Sequence, residues 1–293
     1  MKKVIFILGT GHCGSTLLDL ILGSHTKMFS LGEVYRVVSS SPPVPICDIC
    51  DEDCEFWKPE LLKSIQSLYT DNLPKQIGRK LGVLEAIEVS FYRKLFEASR
   101  NNILVDSSKN PGWISRNERK LRASNIEPVL IYLSRDGRAV VNSYYRKYPE
   151  RGLEGISHNW NSRITAINKC FDSWPSDNKI HIRYEDLAKN PITTIKKLME
   201  FIQLPFEEEM MRFWEHDHHL VNGNAGTKSM LLKFKDTHKH KQWVETNDKE
   251  YYREKELGIT FDARWRRELS LDQIAIIESI TDSLNNPLKE DDQ

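Results

Sequence analysis

Four short apolar runs along the chain end abruptly in glycine, serine or charge: VIFILG (4–9), ILVDSS (103–108), PVLIYLSRD (128–136) and KIHIRYED (179–186). Runs this short and continuous read as strands buried on both faces, the pattern of a parallel sheet. Between them the apolar positions change to helical spacing, over 15–24, 75–99, 112–123, 137–147, 154–172, 192–202 and 271–284. Strands alternating with helices predict right-handed crossovers, and so an α/β fold of three layers with a central, mainly parallel sheet flanked by helices. The reading is one domain over 1–293, without internal repeats, carrying an insert at about 40–100. That insert holds the Pro-rich SSSPPVP, the run CDICDEDC, and a helical stripe at Ile77, Leu81, Leu84, Ile87 and Phe91 that is expected to help shape a pocket. The Lys/His-rich KFKDTHKHKQW (233–243) reads as a surface loop.

Composition narrows the function. Lys plus Arg and Asp plus Glu both count 42, so no basic field draws the chain to nucleic acid, an anionic membrane or a highly sulfated polymer. The first apolar run, Val4–Leu8, is too short for a signal segment or a membrane span, which leads to the expectation of a soluble, cytoplasmic protein. Cys47, Cys50 and Cys54 offer three ligands of a tetrahedral zinc site, but no second Cys-x-x-Cys supplies the fourth. The acidic residues around them fit a solvated loop, so free thiols are expected, with a disulfide and a metal as alternatives. The histidines of EHDHH (215–219) match no standard zinc spacing, and no metal is expected there. Trp57, Trp113, Trp160 and Trp174 read as core, with Trp160 also considered for the wall of an acceptor pocket.

In an open parallel sheet the ligand site lies beyond the carboxyl ends of the strands. After the first strand comes GTGHCGST (9–16), a phosphate loop in which Ser15 stands where a nucleotide triphosphatase has lysine. Its glycines let backbone N–H groups converge on an anion, and the following helix adds its partial positive charge. The plain alternative is a tight strand-to-helix turn with a Ser/Thr cap. After the third run comes LSRDGRAVVNSYYRK, where Arg135 leaves the strand, Asp136 can cap a helix, and Ser143 lies two turns in. An arginine fork plus a hydroxyl makes a second anion site, spatially separate from the glycine loop. The competing view is a capped surface helix with a solvated arginine.

Taken in order, these segments resemble the sulfotransferases that use 3′-phosphoadenosine 5′-phosphosulfate. GTGHCGST is similar to that family's 5′-phosphosulfate loop, LSRDGRAVVNS to its 3′-phosphate motif, and RYEDLAKNP (183–191) to its Tyr-Glu-Asp-Leu segment. FSLGEVYR (29–36), VDSSKNP (105–111), GNAGTK (223–228) and FDARWRREL (261–269) are similar to further segments of tyrosylprotein and related bacterial members. The resemblance implies donor contacts at Gly11, His12, Cys13, Gly14, Ser15, Thr16, Arg135, Ser143, Tyr184 and Lys228. It also implies Glu33 as the base that takes the acceptor's proton, assisted by Lys109 and His12. A donor with no β,γ-phosphate chain needs neither the Walker lysine nor a bridging metal ion. His12 departs from the pattern, since many relatives have Arg or Lys there; Lys109 is then the more durable positive charge. The acceptor is expected to be a small molecule, lipid or carbohydrate. The alternatives are a P-loop kinase, with Asp106 as its metal-binding aspartate, and a nucleotide-binding module without catalysis.

Overall fold

The structure is a computed structural model that describes residues 1–39, 47, 49–50, 54–70, 83–246, 252–253 and 256–290. Five strands form one sheet: β1 (Lys2–Leu8), β2 (Met28–Ser30), β3 (Ile103–Asp106), β4 (Ile126–Ser134) and β5 (Lys179–Arg183), in the order β2-β3-β1-β4-β5. The pairs β1/β3, β2/β3 and β4/β5 are parallel, as continuous apolar runs require when helices cover both faces. The expected α/β architecture is therefore present, with each of the four anticipated strands within a few residues of its predicted place. The short strand β2 and the helices Tyr35–Ser39, Pro59–Thr70, Tyr184–Lys189, Ala225–Lys235 and Thr237–Thr246 were not anticipated.

The chain forms two compact units. The first comprises Met1–Phe6, Thr16–Val129 and Glu207–Gly258; the second comprises Ile7–Ser15, Leu130–Phe206 and Ile259–Gln293. In the first, Asp106 at the end of β3 is fully buried, and Tyr92 Oη (2.7 Å), Trp113 Nε1 (2.9 Å) and the Ser108 N–H (2.8 Å) all donate to its carboxylate. Phe91 and Tyr92 pack edge-on to each other, and Phe91 edge-on to Trp113, so the insert's helix Val83–Ser99 presses on the helix Pro111–Ala123 through aromatic faces. Asn110 starts the latter helix, its Oδ1 accepting from the Trp113 N–H, with Pro111 at the first position where a missing N–H costs nothing. Phe91, the last residue of the expected stripe, is buried; the placement of Ile77, Leu81, Leu84 and Ile87 lies outside the described residues and side chains.

Residues 233–243 are a correction. They are not a loop: the helix Ala225–Lys235 ends and Thr237–Thr246 begins there. Asp236 Oδ1 accepts from the His238 and Lys239 N–H groups, and His240 and Val244, one turn apart, are buried. Lysine and histidine on the exposed face hid a capped, amphipathic helix.

In the second unit, helices Gly137–Lys147, Leu153–Ser173 and Leu271–Asn285 pack together. Asp136 fixes the start of the first: it accepts from the Arg138 N–H and guanidinium and from the Glu290 N–H, while Asn285 Oδ1 takes the Gly137 N–H at 2.6 Å. Burial alone would raise the Asp136 pKa, but these donors and the Arg138 charge bring it below the usual carboxylate range. All four tryptophans expected in the core are buried. Trp160 is buried, its ring edge 3.0 Å from where a Gly137 Cβ would stand.

Candidate functional site

The glycine loop after β1 belongs to the second unit up to Ser15, and its conformation explains its composition. Gly14 has φ +97°, and a Cβ there would lie 2.6 Å from the Tyr184 ring; a Cβ on Gly11 would overlap the Tyr144 hydroxyl. Only glycine allows both approaches. His12 takes φ 64°, a left-handed conformation that histidine rarely adopts and that the surrounding contacts hold in place. Its carbonyl accepts from Arg135 Nη1 at 2.9 Å, and its Nδ1 shares a 2.7 Å hydrogen bond with Ser143 Oγ. The two segments expected to make separate anion sites are thus joined directly. Cys13 is buried, its sulfur packed where Gly9 has no side chain.

Arg135 is the hub. Besides His12 it donates to the Asp262 carbonyl at 2.9 Å and pairs with the Asp262 carboxylate at 3.3 Å, and its guanidinium lies 4.3 Å over the Tyr184 ring. Its Nε is buried and has no hydrogen-bond partner among the described residues. Tyr184 itself is buried, donating its hydroxyl to the Thr260 carbonyl and accepting from the Asp262 N–H, so it fastens the 259–262 segment beneath the arginine. Around Arg135 lies a tight polar cleft lined by Ala139, Asn142, Ser143, Arg146, Asp262, Arg264 and Trp265 as well. Arg264 grips Asp262 through Nε (2.7 Å) and Nη2 (2.8 Å). Burial pushes the Asp262 pKa up, but hydrogen bonds from Arg264 and the charges of both arginines outweigh it and hold the group well below the ordinary range. Even with Asp262 ionised, Arg135, Arg146 and Arg264 leave the pocket positive.

Sequence reasoning missed Arg146 and Arg264. Arg146 was accessible to it, because Ala139, Ser143 and Arg146 follow one another at four and three residues on one helical face. Arg264 had no local signal; its segment was singled out only by resemblance, and the fold brings it to the pocket.

The first unit contains the other candidates. Glu33, half-buried, accepts from Lys109 Nζ at 2.6 Å and from Arg36 Nε at 2.9 Å, and its own N–H donates to the Val221 carbonyl at 2.8 Å. Burial favours the neutral acid, yet the Lys109 charge and hydrogen bond prevail and keep the pKa below the usual glutamate value. Lys109, at φ 58°, also donates to the Ser107 carbonyl at 3.0 Å. Thr16 Oγ1 accepts from the Asn224 N–H at 3.2 Å, which docks the segment 221–228 onto the start of the helix Ser15–Gly23. Lys228 stands in the first turn of the helix that Asn224 caps. Asp19, also missed, is fully buried and receives the Ser30 and Ser107 hydroxyls at 2.8 and 2.7 Å, tying the ends of β2 and β3 to the helix Ser15–Gly23.

Comparisons with known proteins agree with this architecture. The model of the sulfotransferase family matches residues 127–208, which include Arg135, Ser143 and Tyr184. The sulfotransferase domain of the curacin biosynthetic pathway superimposes with a TM-score of 0.51 at 21% identity, over 85% of this chain and 99% of that one. The sulfotransferase domain of the Synechococcus PCC 7002 olefin synthase gives 0.51 and 21% over 95% of each chain. An uncharacterized protein of Aquifex aeolicus (strain VF5) is 23% identical over 230 residues, 73% of this chain but 27% of that protein, so the chain spans about a quarter of that curated relative. Residues 127–208 thus match the sulfotransferase family model, and the fold is the one seen in those two sulfotransferase domains.

Proposed function

We propose that the protein transfers a sulfuryl group from 3′-phosphoadenosine 5′-phosphosulfate to a hydroxyl or amine of a small molecule, lipid or carbohydrate, releasing adenosine 3′,5′-bisphosphate. The observation that carries this reading is the arginine-lined cleft, in which the buried Nε of Arg135 has no hydrogen-bond partner among the described residues. A buried donor left unsatisfied costs about 1–3 kcal/mol, which a bound anion would offset. A 3′-phosphate, with oxygens for Arg135, Arg146, Arg264 and Ser143, has the charge and the acceptors to do so.

The donor brings an activated sulfur; the residues of the chain bind, orient and accept a proton. As the acceptor oxygen or nitrogen bonds to sulfur, its proton passes to the Glu33 carboxylate. The bond from sulfur to the bridging oxygen breaks, and the negative charge gained by the leaving 5′-phosphate is met by the N–H groups of the Gly11–Ser15 loop and the helix start. Lys109 holds the Glu33 carboxylate at 2.6 Å and brings a positive charge beside it. His12, bonded to Ser143 and through its carbonyl to Arg135, fixes the loop relative to the 3′-phosphate pocket. The kinase alternative loses its metal-binding residue, because Asp106 is fully buried and already accepts from Tyr92, Trp113 and Ser108.

Calorimetry with adenosine 3′,5′-bisphosphate, AMP, and ATP plus Mg²⁺ tests the reading. The bisphosphate is expected to bind much more tightly than either. Arg135→Ala should remove most of that preference, at about 2–4 kcal/mol, and the more exposed Arg146→Ala about tenfold in affinity with the fold intact. Equal affinities for the bisphosphate and AMP would reject the proposal.

A further inference from the structure

The first unit gathers four ligand-bearing side chains. Cys47, Cys50 and Cys54 come from the insert and His219 from the segment before the helix Ala225–Lys235, and their sulfur and nitrogen atoms all lie within 4.8 Å of one another. His219 Nδ1 is 3.5 Å from Cys50 Sγ and 3.4 Å from Cys54 Sγ. In a tetrahedral zinc site with bonds of about 2.3 Å to sulfur and about 2.0 Å to nitrogen, the S···N edge is about 3.5 Å. The observed separations are those of ligands around one small ion.

Backbone donors face two of the sulfurs. The Cys50 N–H donates to Cys47 Sγ at 3.4 Å and the Trp57 N–H to Cys54 Sγ at 3.3 Å, each three residues along the chain from the sulfur it serves. The backbone of His219 is held by Trp57 Nε1, which donates to its carbonyl at 2.7 Å, and the rings of Phe29 and Phe56 lie nearly parallel to the imidazole, at 19° and 24°. Three sulfurs and one imidazole nitrogen gathered in so small a volume make a soft S₃N set, and such a set at this geometry suits zinc.

We infer that Cys47, Cys50, Cys54 and His219 form a structural zinc site that fastens the insert to the 216–222 segment. The ion closes a tie between residues that are 165 apart in sequence. Its position has a consequence for Glu33. Cys47 and Gly32 both bridge to Val221, and the Val221 carbonyl receives the Glu33 N–H. The metal therefore stabilises the backbone that presents Glu33, without a free coordination position for chemistry.

The full-length protein, purified under reducing conditions without chelator, should contain about one zinc per chain by elemental analysis. Cobalt exchanged into it should show the d–d bands of a tetrahedral site and thiolate-to-cobalt charge transfer. Cys54→Ser and His219→Ala should lose the metal, and stripping it from the wild type should lower the thermal midpoint by roughly 5–15 °C. Strongly substoichiometric zinc that added Zn²⁺ does not raise, a Cys47–Cys54 disulfide found by mass spectrometry of the alkylated protein, or unchanged zinc in Cys54→Ser would each overturn the inference. These measurements read the metal itself and stand whether or not the protein transfers sulfuryl groups.

Discussion

Glu33 and Lys109 are a salt-bridged pair in which the acid is the partner whose charge is protected. With Lys109 2.6 Å away, Glu33 is ionised throughout the physiological range, so the base role proposed for it rests on position and not on a raised pKa. Glu33→Gln keeps the size and the hydrogen-bonding oxygen but cannot take a proton, and turnover is expected to fall by roughly 10² to 10⁴ with little change in bisphosphate affinity. Because the pKa is lowered, the stability that this pair contributes is present above the ordinary glutamate value and is lost only as pH falls through the folded value. Lys109→Ala should damage turnover at every pH, whereas His12→Ala should cost less above neutrality, where a free imidazole is mostly uncharged. A single-turnover pH profile of the three variants checks this. Full activity in Glu33→Gln would remove the base assignment, and a greater loss for His12→Ala than for Lys109→Ala at high pH would exchange their roles.

At the scale of elements, the strand–loop–helix from β1 to Gly23 is decided by what glycine permits. Gly14 combines a positive φ with a tyrosine ring in van der Waals reach, so its replacement by alanine adds a strained backbone and a steric overlap at one position. Gly14→Ala should destabilise the protein by about 1–3 kcal/mol and, since Tyr184 must move from beneath Arg135, should weaken bisphosphate binding by about tenfold or more. Urea unfolding and calorimetry measure the two effects separately. A variant with wild-type affinity would show that the loop's approach to Tyr184 does not shape the anion site. The helix Gly137–Lys147 works differently: its start is locked by Asp136 and Asn285, and its face then offers Ser143 and Arg146 at fixed height.

For the whole molecule, a buried acid sets a pH dependence of stability. Burial raises the Asp19 pKa to about 7, even though Ser107 and Ser30 hydrogen bonds pull it down. The folded state therefore holds a proton that the unfolded chain releases near the ordinary aspartate value. Between about pH 4 and pH 7 the native state binds more protons, so the contribution of Asp19 to stability falls as pH rises and is level above about 7. Asp19→Asn should flatten that part of the profile, seen in urea unfolding at a series of pH values. An identical slope in wild type and variant would assign the dependence elsewhere. Among the described residues no helix is long and apolar enough to cross a membrane, and the even balance of charge leaves the arginine pocket as a local field rather than part of a basic face.

The sequence by itself determined what neighbouring residues impose on one another. Continuous apolar runs marked four of five strands, and 3.6-residue spacing marked the helices around them; β2, three residues long, was too short to show a period. The glycine loop, Arg135, Asp136 and Ser143 were legible because a turn, a cap and a helical face are local facts. Composition misled at 233–243, where surface charge concealed a helix, and at the cysteine run, whose acidic residues read as a solvated loop. Tertiary structure alone decided the meetings of distant segments: His12 with Ser143, 131 residues apart, Arg264 with the Arg135 pocket, and His219 with three cysteines far ahead of it. No periodicity encodes such pairs. They depend on which strand ends the crossovers bring side by side, and a histidine in EHDHH becomes a fourth ligand only when the fold has closed the loop between it and the cysteines.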